Sequence, residues 1–208
     1  MEKETARIEA FSDGVFAIAI TLLILEIKVP TPSSVDLSHQ LLQLWPSFVA
    51  YVISFAFIGI MWINHHRLFT HIHRSDNALM FVNLLLLLGV TSVPYPTAVL
   101  AQHLGHPSQR TAVIFYQGTY VAIAIFFNIL WWYAKSHHLL GKEVDMAAAD
   151  KISTQYAFGP LMYLMCMGLA WVSVTASLVV NIALACFFAV PAEYSTRIVK
   201  RQAPTYPS

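Results

Sequence analysis

Long apolar runs, separated by short polar or proline-bearing breaks, organise the chain. A membrane-spanning helix needs about 20 mainly apolar residues, and the sequence supplies six candidates, at about 7–29, 46–66, 77–101, 111–133, 152–171 and 174–196. The pattern predicts an all-α, polytopic membrane protein with six transmembrane helices per subunit, built as a single domain over residues 1–208. The first run stops at Val29-Pro30-Thr31-Pro32, because proline lacks the amide hydrogen and biases its predecessor away from helix. Ser34 to Leu44 reads as a short interfacial helix, and Trp45-Pro46 opens the second span. Pro94 and Pro96 are expected to bend or locally unwind the third span. After the polar loop Gln102–Gln109, the fourth span ends in Trp131-Trp132-Tyr133, an aromatic anchor at headgroup depth. The linker Lys135–Lys151 carries both signs of charge, and its run Ala147-Ala148-Ala149 predicts a helix at the surface. Residues 152–189 are too long for one span and suit a hairpin turning near Ala170–Thr175, with Gly159-Pro160 and Pro191 as kinks or boundaries.

Composition agrees with the bilayer as solvent, since 57% of the residues are hydrophobic and 11% charged. Cys166 and Cys186 both fall inside apolar runs and read as small hydrophobic thiols rather than a disulfide or metal pair. The first run is longer than a signal-peptide core and lacks a small-residue cleavage site before Pro30, so it is expected to be retained. A net charge of +1 gives no footprint for nucleic acid. With six spans and the N-terminus inside, Lys3, Arg7, Arg67, Arg74, Lys135, Lys142, Lys151, Arg197, Lys200 and Arg201 face one side, and Lys28 and Arg110 the other. That asymmetry predicts both termini in the cytoplasm. It also favours splitting the last apolar block in two, because five spans would place the basic C-terminal tail outside.

Candidate chemistry concentrates on the first helix. At about 100° per residue, Arg7, Phe11, Gly14, Ile18, Thr21, Leu22 and Leu25 share one stripe. From Gly14 to Leu25 it rises about 16 Å. Several copies around an axis would stack Ile18, Leu22 and Leu25 into apolar rings, with the Thr21 hydroxyl beside the first. Such a constriction gates by dewetting and discriminates among partly dehydrated cations. A lipid-facing or bundle-packing helix presents the same stripe, so periodicity alone leaves both readings open. Glu9 and Asp13 are like charges four residues apart, and Asp13 is off the face of Arg7, so each needs a partner on another helix or subunit. Trp62 and His66, one turn apart at the cytoplasmic end of the second span, are candidates. The expected network joins Arg7, Ser12 and Asp13 to Trp62 and His66; the competing reading is an aromatic belt beside basic topology signals.

The cluster His65, His66, His71 and His73 resembles a metal-rich tract, but the only carboxylate beside it is Asp76, and a metal site is not expected. No Gly-rich phosphate loop, Gly-x-Ser-x-Gly elbow or His-Glu-x-x-His motif is present, so no catalytic residues and no enzyme activity are expected. There is no Thr-Val-Gly-Tyr-Gly filter either, which excludes the usual carbonyl-lined potassium pore.

Arg7-x-x-x-Phe11-Ser12-Asp13 followed by GVFAIAITLLILEI, together with Trp62-x-x-His65-His66-Arg67, resembles the transmembrane protein 175 family of non-canonical potassium channels. The resemblance implies a six-span helical unit whose pore is lined by helix one, without a re-entrant filter. One such unit per chain implies a bacterial-type homotetramer. The family's constriction corresponds to Ile18, its threonine layer to Thr21, and its further apolar rings to Leu22 and Leu25. The signature arginine, serine and aspartate correspond to Arg7, Ser12 and Asp13, and their partners to Trp62 and to His66 or the adjacent His65.

The resulting expectation is a cofactor-free, potassium-permeable cation channel in the lipid bilayer of a bacterial plasma membrane, in which other monovalent cations also pass. Ile18, Thr21, Leu22 and Leu25 would control permeation, and Arg7, Phe11, Ser12, Asp13, Trp62 and His66 would support the pore. The alternative is a proton-coupled cation transporter or proton leak pathway using Asp13, Glu26 or the histidines. A non-conducting membrane scaffold is the third reading.

Overall fold

The computed structural model describes residues 5–32 and 35–189, without the side chains of residues 148 and 187–189. Lys3, Ser34, Pro191, Arg197, Lys200, Arg201 and the end of the sixth expected span lie outside the described residues. Among the described residues the secondary structure is helical, and the one ladder-type pairing is the isolated bridge Ile72–Leu140.

Helix α1 (Ala6–Leu22) passes into a 3₁₀ turn, Leu23–Glu26, and the backbone is extended by Ile27, ahead of Pro30. Helix α2 (Leu37–Gln43) is the short segment expected from the sequence; Asp36 caps it by accepting from the Ser38 amide. Helix α3 (Trp45–His71) starts with Pro46 in its first turn, where the missing amide costs no bond. Helix α4 (Asn77–Ser92) begins at Asp76, whose carboxylate accepts from the Leu79 amide at 2.7 Å.

Helix α5 (Pro94–His103) continues α4 after a single interrupting residue, Val93. The two prolines therefore interrupt the helix without unwinding its far end. Val93 stays in right-handed helical geometry, its amide reaches the Val90 carbonyl, and the Thr97 amide resumes the pattern on the Val93 carbonyl.

Helix α6 (Gln109–Ser136) touches α4 and α5, and also α7 (Met146–Leu169) and α8 (Val174–Ala189). The α7–α8 turn at residues 170–173 falls in the window expected from the sequence. Two expectations change. The alanine run belongs to the start of α7 and is not wholly at the surface, because Ala149 is buried. The α6–α7 contact that covers it includes Trp131 Nε1 donating to Ser153 Oγ at 2.9 Å and the Lys135–Asp150 ion pair. Gly159-Pro160 is not a boundary either, since α7 runs through it. Proline at 160 leaves the Tyr156 carbonyl without its helical donor, and Asn128 Nδ2 of α6 donates to that carbonyl instead.

Among the described residues, four helical stretches are long and apolar enough to cross a membrane, 6–26, 45–71, 77–103 and 109–136. The core between them holds Phe16, Leu23, Ile58, Leu86, Tyr116 and Trp131, all essentially inaccessible. Gly89 allows α4 and α6 to approach, because a Cβ there would sit 2.9 Å from Ile123 Cγ1. Buried hydroxyls are paired across helices: Ser54 Oγ lies 2.8 Å from Thr97 Oγ1 and 2.9 Å from the Tyr116 hydroxyl.

Candidate functional site: helix α1 and its anchors

Helix α1 has two faces with the same helical spacing. Ser12, Phe16, Ala19 and the following Leu23 are buried, and α1 packs on α3 and α4. Arg7, Phe11, Gly14, Ile18, Thr21, Leu22 and Leu25 are all exposed. Ile18 is 58% and Leu25 68% exposed, so these two expected constriction residues lie largely outside the packing of a single chain. Thr21 Oγ1 donates to the Ala17 and Ile18 carbonyls at 3.0 and 2.9 Å. Its proton is thereby committed to the helix, while its oxygen lone pairs remain available as acceptors.

The foot of α1 is tied to its neighbours by polar contacts. Trp62 Nε1 of α3 donates to Asp13 Oδ1 at 2.8 Å. One residue earlier, Ser12 points into the bundle, where Asn83 Nδ2 of α4 donates to its hydroxyl oxygen at 3.0 Å. The other end of that amide, Asn83 Oδ1, is 2.9 Å from His65 Nε2. With the amide nitrogen committed to Ser12, the Asn83 oxygen faces the imidazole, and the proton of neutral His65 is placed on Nε2. Phe69 stacks on the ring with centroids 4.6 Å apart, and Phe16 meets it tilted at 5.4 Å. All three members of this line, Ser12, Asn83 and His65, are buried. Thr5 adds a third tie: its hydroxyl bonds Glu9 Oε1 at 2.7 Å and reaches the Ile72 carbonyl at 3.3 Å.

The expected network is therefore split in two. Asp13 and Trp62 meet directly, whereas Ser12 is reached by His65 through Asn83. His66 stacks beside Trp62 with centroids 6.5 Å apart and is exposed. Arg7 is also exposed, and no hydrogen bond or ion pair joins it to another of the described residues. Asn83 is absent from the sequence-based expectation. Its signal is nevertheless there, as the one strongly polar side chain in the run Phe81–Val90, where an unpaired amide in hydrocarbon is costly.

The chemistry of this arrangement is structural: neutral donors and one carboxylate fix a helix whose opposite face is aliphatic and open. No group of three or more His, Cys, Asp or Glu able to hold a metal occurs among the described residues.

A sequence profile described as "Endosomal/lysosomal potassium channel TMEM175" matches residues 7–94, which include α1, α3, α4 and the Ser12, Asp13, Trp62, His65 and Asn83 anchors. A potassium channel of Chamaesiphon minutus is 51% identical over 192 residues, covering 90% of this chain and 95% of that one. A potassium channel of Streptomyces collinus is 47% identical over 188 residues, covering 89% and 91%. The human endosomal/lysosomal proton channel TMEM175 is 35% identical over 135 residues, 61% of this chain and 27% of the human protein. The crystal structure of a lysosomal potassium-selective channel TMEM175 homolog from Chamaesiphon minutus superposes with a TM-score of 0.81 at 50% identity, covering 89% of this chain and 96% of that chain. With near-complete coverage at about half identity and a shared helical fold, the chain belongs to the TMEM175 family, a family of membrane channels and not of enzymes.

Proposed function

We propose that the protein is the subunit of a potassium-permeable cation channel that conducts passively, without a cofactor. The observation that carries this reading is the division of α1 into an anchored face and an unused aliphatic face. Ile18, Leu22 and Leu25 are exposed in a helix otherwise fixed by Ser12, Asp13, Phe16 and Leu23. Packed around an axis by identical copies, these residues would form rings narrow and dry enough to gate a pore, and the potassium channels among its relatives support a channel function.

The subunit in this proposal has six spans in one domain over residues 1–208, with α7 and α8 as the fifth and sixth. Four subunits form a homotetramer with α1 lining the pore. Ile18 is the tightest ring, Thr21 supplies an oxygen layer beside it, and Leu22 and Leu25 extend the apolar path. Asp13 with Trp62, and Ser12 with Asn83 and His65, hold the helix foot, with the exposed Arg7 and Phe11 directed to a neighbouring subunit. The distribution of lysine and arginine supports cytoplasmic termini in a bacterial plasma membrane. Other monovalent cations compete with potassium in the same pore.

The decisive experiment is a bi-ionic potential in liposomes holding the purified full chain, with potassium on one side and sodium on the other. The expected reversal potential favours potassium, and Ile18→Asn shifts it toward zero. No cation flux from the wild type would overturn the channel reading; an unchanged reversal potential in Ile18→Asn would remove Ile18 as the filter. A second reading, a proton leak through the same path, is favoured by the human relative's naming as a proton channel. It predicts acidification of the liposome lumen under an imposed pH gradient in the absence of potassium.

A further inference from the structure

At the end of the bundle where α6 and α8 begin, a cleft of about 560 Å³ opens beside the tip of the α7–α8 hairpin. Its rim is polar, with Gln109, Arg110 and Thr111, and its lower wall is apolar, with Ile114 and Val174. The Arg110 guanidinium carbon stands 5.6 Å from the centroid of the Trp171 ring, a cation–π distance. Trp171 is 65% and Val172 84% exposed, so the hairpin tip offers bare apolar surface next to a fixed charge.

Among the described residues, no carboxylate is paired with that charge. No Asp or Glu occurs in the sequence between Asp76 and Glu143, nor between Asp150 and Glu193, so the helices bordering the cleft carry none near it. Among the described residues, no hydrogen bond or ion pair reaches Arg110. A guanidinium at the end of spanning helices sits at headgroup level beside an interfacial tryptophan. Its planar fork suits the two oxygens of a phosphodiester, and an apolar wall below suits the first methylenes of an acyl chain. A free inorganic anion would satisfy the arginine but leave Ile114, Val174 and the indole uncovered.

We propose that this cleft binds the headgroup of an anionic phospholipid, with the phosphodiester on Arg110, the headgroup against Trp171 and the acyl chain running over Ile114 and Val174. The site lies away from the α1 path, and it stands whether or not the channel reading does.

The test is thermal unfolding of the full chain in a nonionic detergent with added dioleoylphosphatidylglycerol, dioleoylphosphatidylcholine or inorganic phosphate. Phosphatidylglycerol is expected to raise the wild-type midpoint by roughly 5 °C. Arg110→Gln, an exposed substitution, should lose more than half of that shift, and Arg110→Lys should keep part of it. Native mass spectra should show one fewer tightly held phosphatidylglycerol per chain in Arg110→Gln than in the wild type. Equal stabilisation of wild type and Arg110→Gln would overturn the site. An equal shift from phosphatidylcholine would overturn the selection for an anionic headgroup. An equal shift from inorganic phosphate would overturn the lipid assignment.

Discussion

Trp62 Nε1 donates to Asp13 Oδ1 at 2.8 Å, joining the foot of α1 to α3 across forty-nine positions of sequence. The bond fixes where α1 stands relative to the bundle without using any residue of its aliphatic face. Trp62→Phe keeps an aromatic ring and removes the donor. In the proposed channel, reconstituted Trp62→Phe is expected to conduct less than the wild type while its potassium-to-sodium reversal potential stays the same, because that reading assigns anchor and filter to different residues. An altered reversal potential with full conductance would reverse those assignments.

Asn83 bonds both Ser12 and His65 in a buried line. Asn83→Leu leaves a serine oxygen and an imidazole proton without partners, and each such group costs about 1–3 kcal/mol. The expected result is a midpoint of thermal unfolding lower by roughly 5–10 °C. Ser12→Ala strands only the Asn83 amide and should cost about half as much. An Asn83→Leu variant as stable as the wild type would show that the line contributes nothing to the fold.

Thr21 has its hydroxyl proton on the Ala17 and Ile18 carbonyls, so an approaching cation would meet its oxygen. Thr21→Val preserves the shape and removes that oxygen. One such contact is worth about 0.5–1.5 kcal/mol, so the potassium preference should fall by roughly two- to tenfold with stability unchanged. The permeability ratio from bi-ionic potentials checks it.

Asn128 Nδ2 donates to the Tyr156 carbonyl that Pro160 leaves free. Asn128→Leu should therefore destabilise the α6–α7 contact by about 1–3 kcal/mol, and Pro160→Ala should rescue most of it, because alanine restores the helical donor. Thermal unfolding of the two single variants and the double variant tests this, and strict additivity would refute the link.

Asp76 lies outside the spanning segments, and its carboxyl is held below the usual carboxylate range, chiefly by the Leu79 amide and further by the Tyr133 hydroxyl. A carboxylate depressed in the folded state contributes stability that is complete above its unfolded value, near 4, and is lost as pH falls through the lower folded value. Asp76→Ala should thus be less stable than the wild type by about 1 kcal/mol at neutral pH, with the difference shrinking below a pH of about 4. Unfolding midpoints of both proteins across the acid-to-neutral range measure it.

Four of the expected spans are legible among the described residues because each is a long apolar run, and the start of α3 follows from Pro46, whose chemistry is local, whereas α7 starts at Met146, ahead of the expected 152. Pro160 misleads for the opposite reason: the group that compensates it, Asn128, is twenty-eight residues from the carbonyl it serves and on another helix. The site divides along the same line. The stripe on α1 is a property of one helix and can be written down from spacing. The pairing of Ser12 with His65 passes through Asn83, a residue seventy-one positions from Ser12, and no periodicity carries that information.

The polar ties of α1 lie at Thr5, just before it, and at Ser12 and Asp13 in its first half, whereas Ala19 and the following Leu23 are held by packing. Such a helix is a beam clamped at one end. Leu25 stands about 20 Å beyond Ser12, so a tilt of about 5° about the clamp carries it through roughly 1.7 Å while the hydrogen bonds at the base stay intact. The same rotation moves Ile18 by about half as much. In the proposed channel, the path would then change width most at its far end and least at the Ile18 ring.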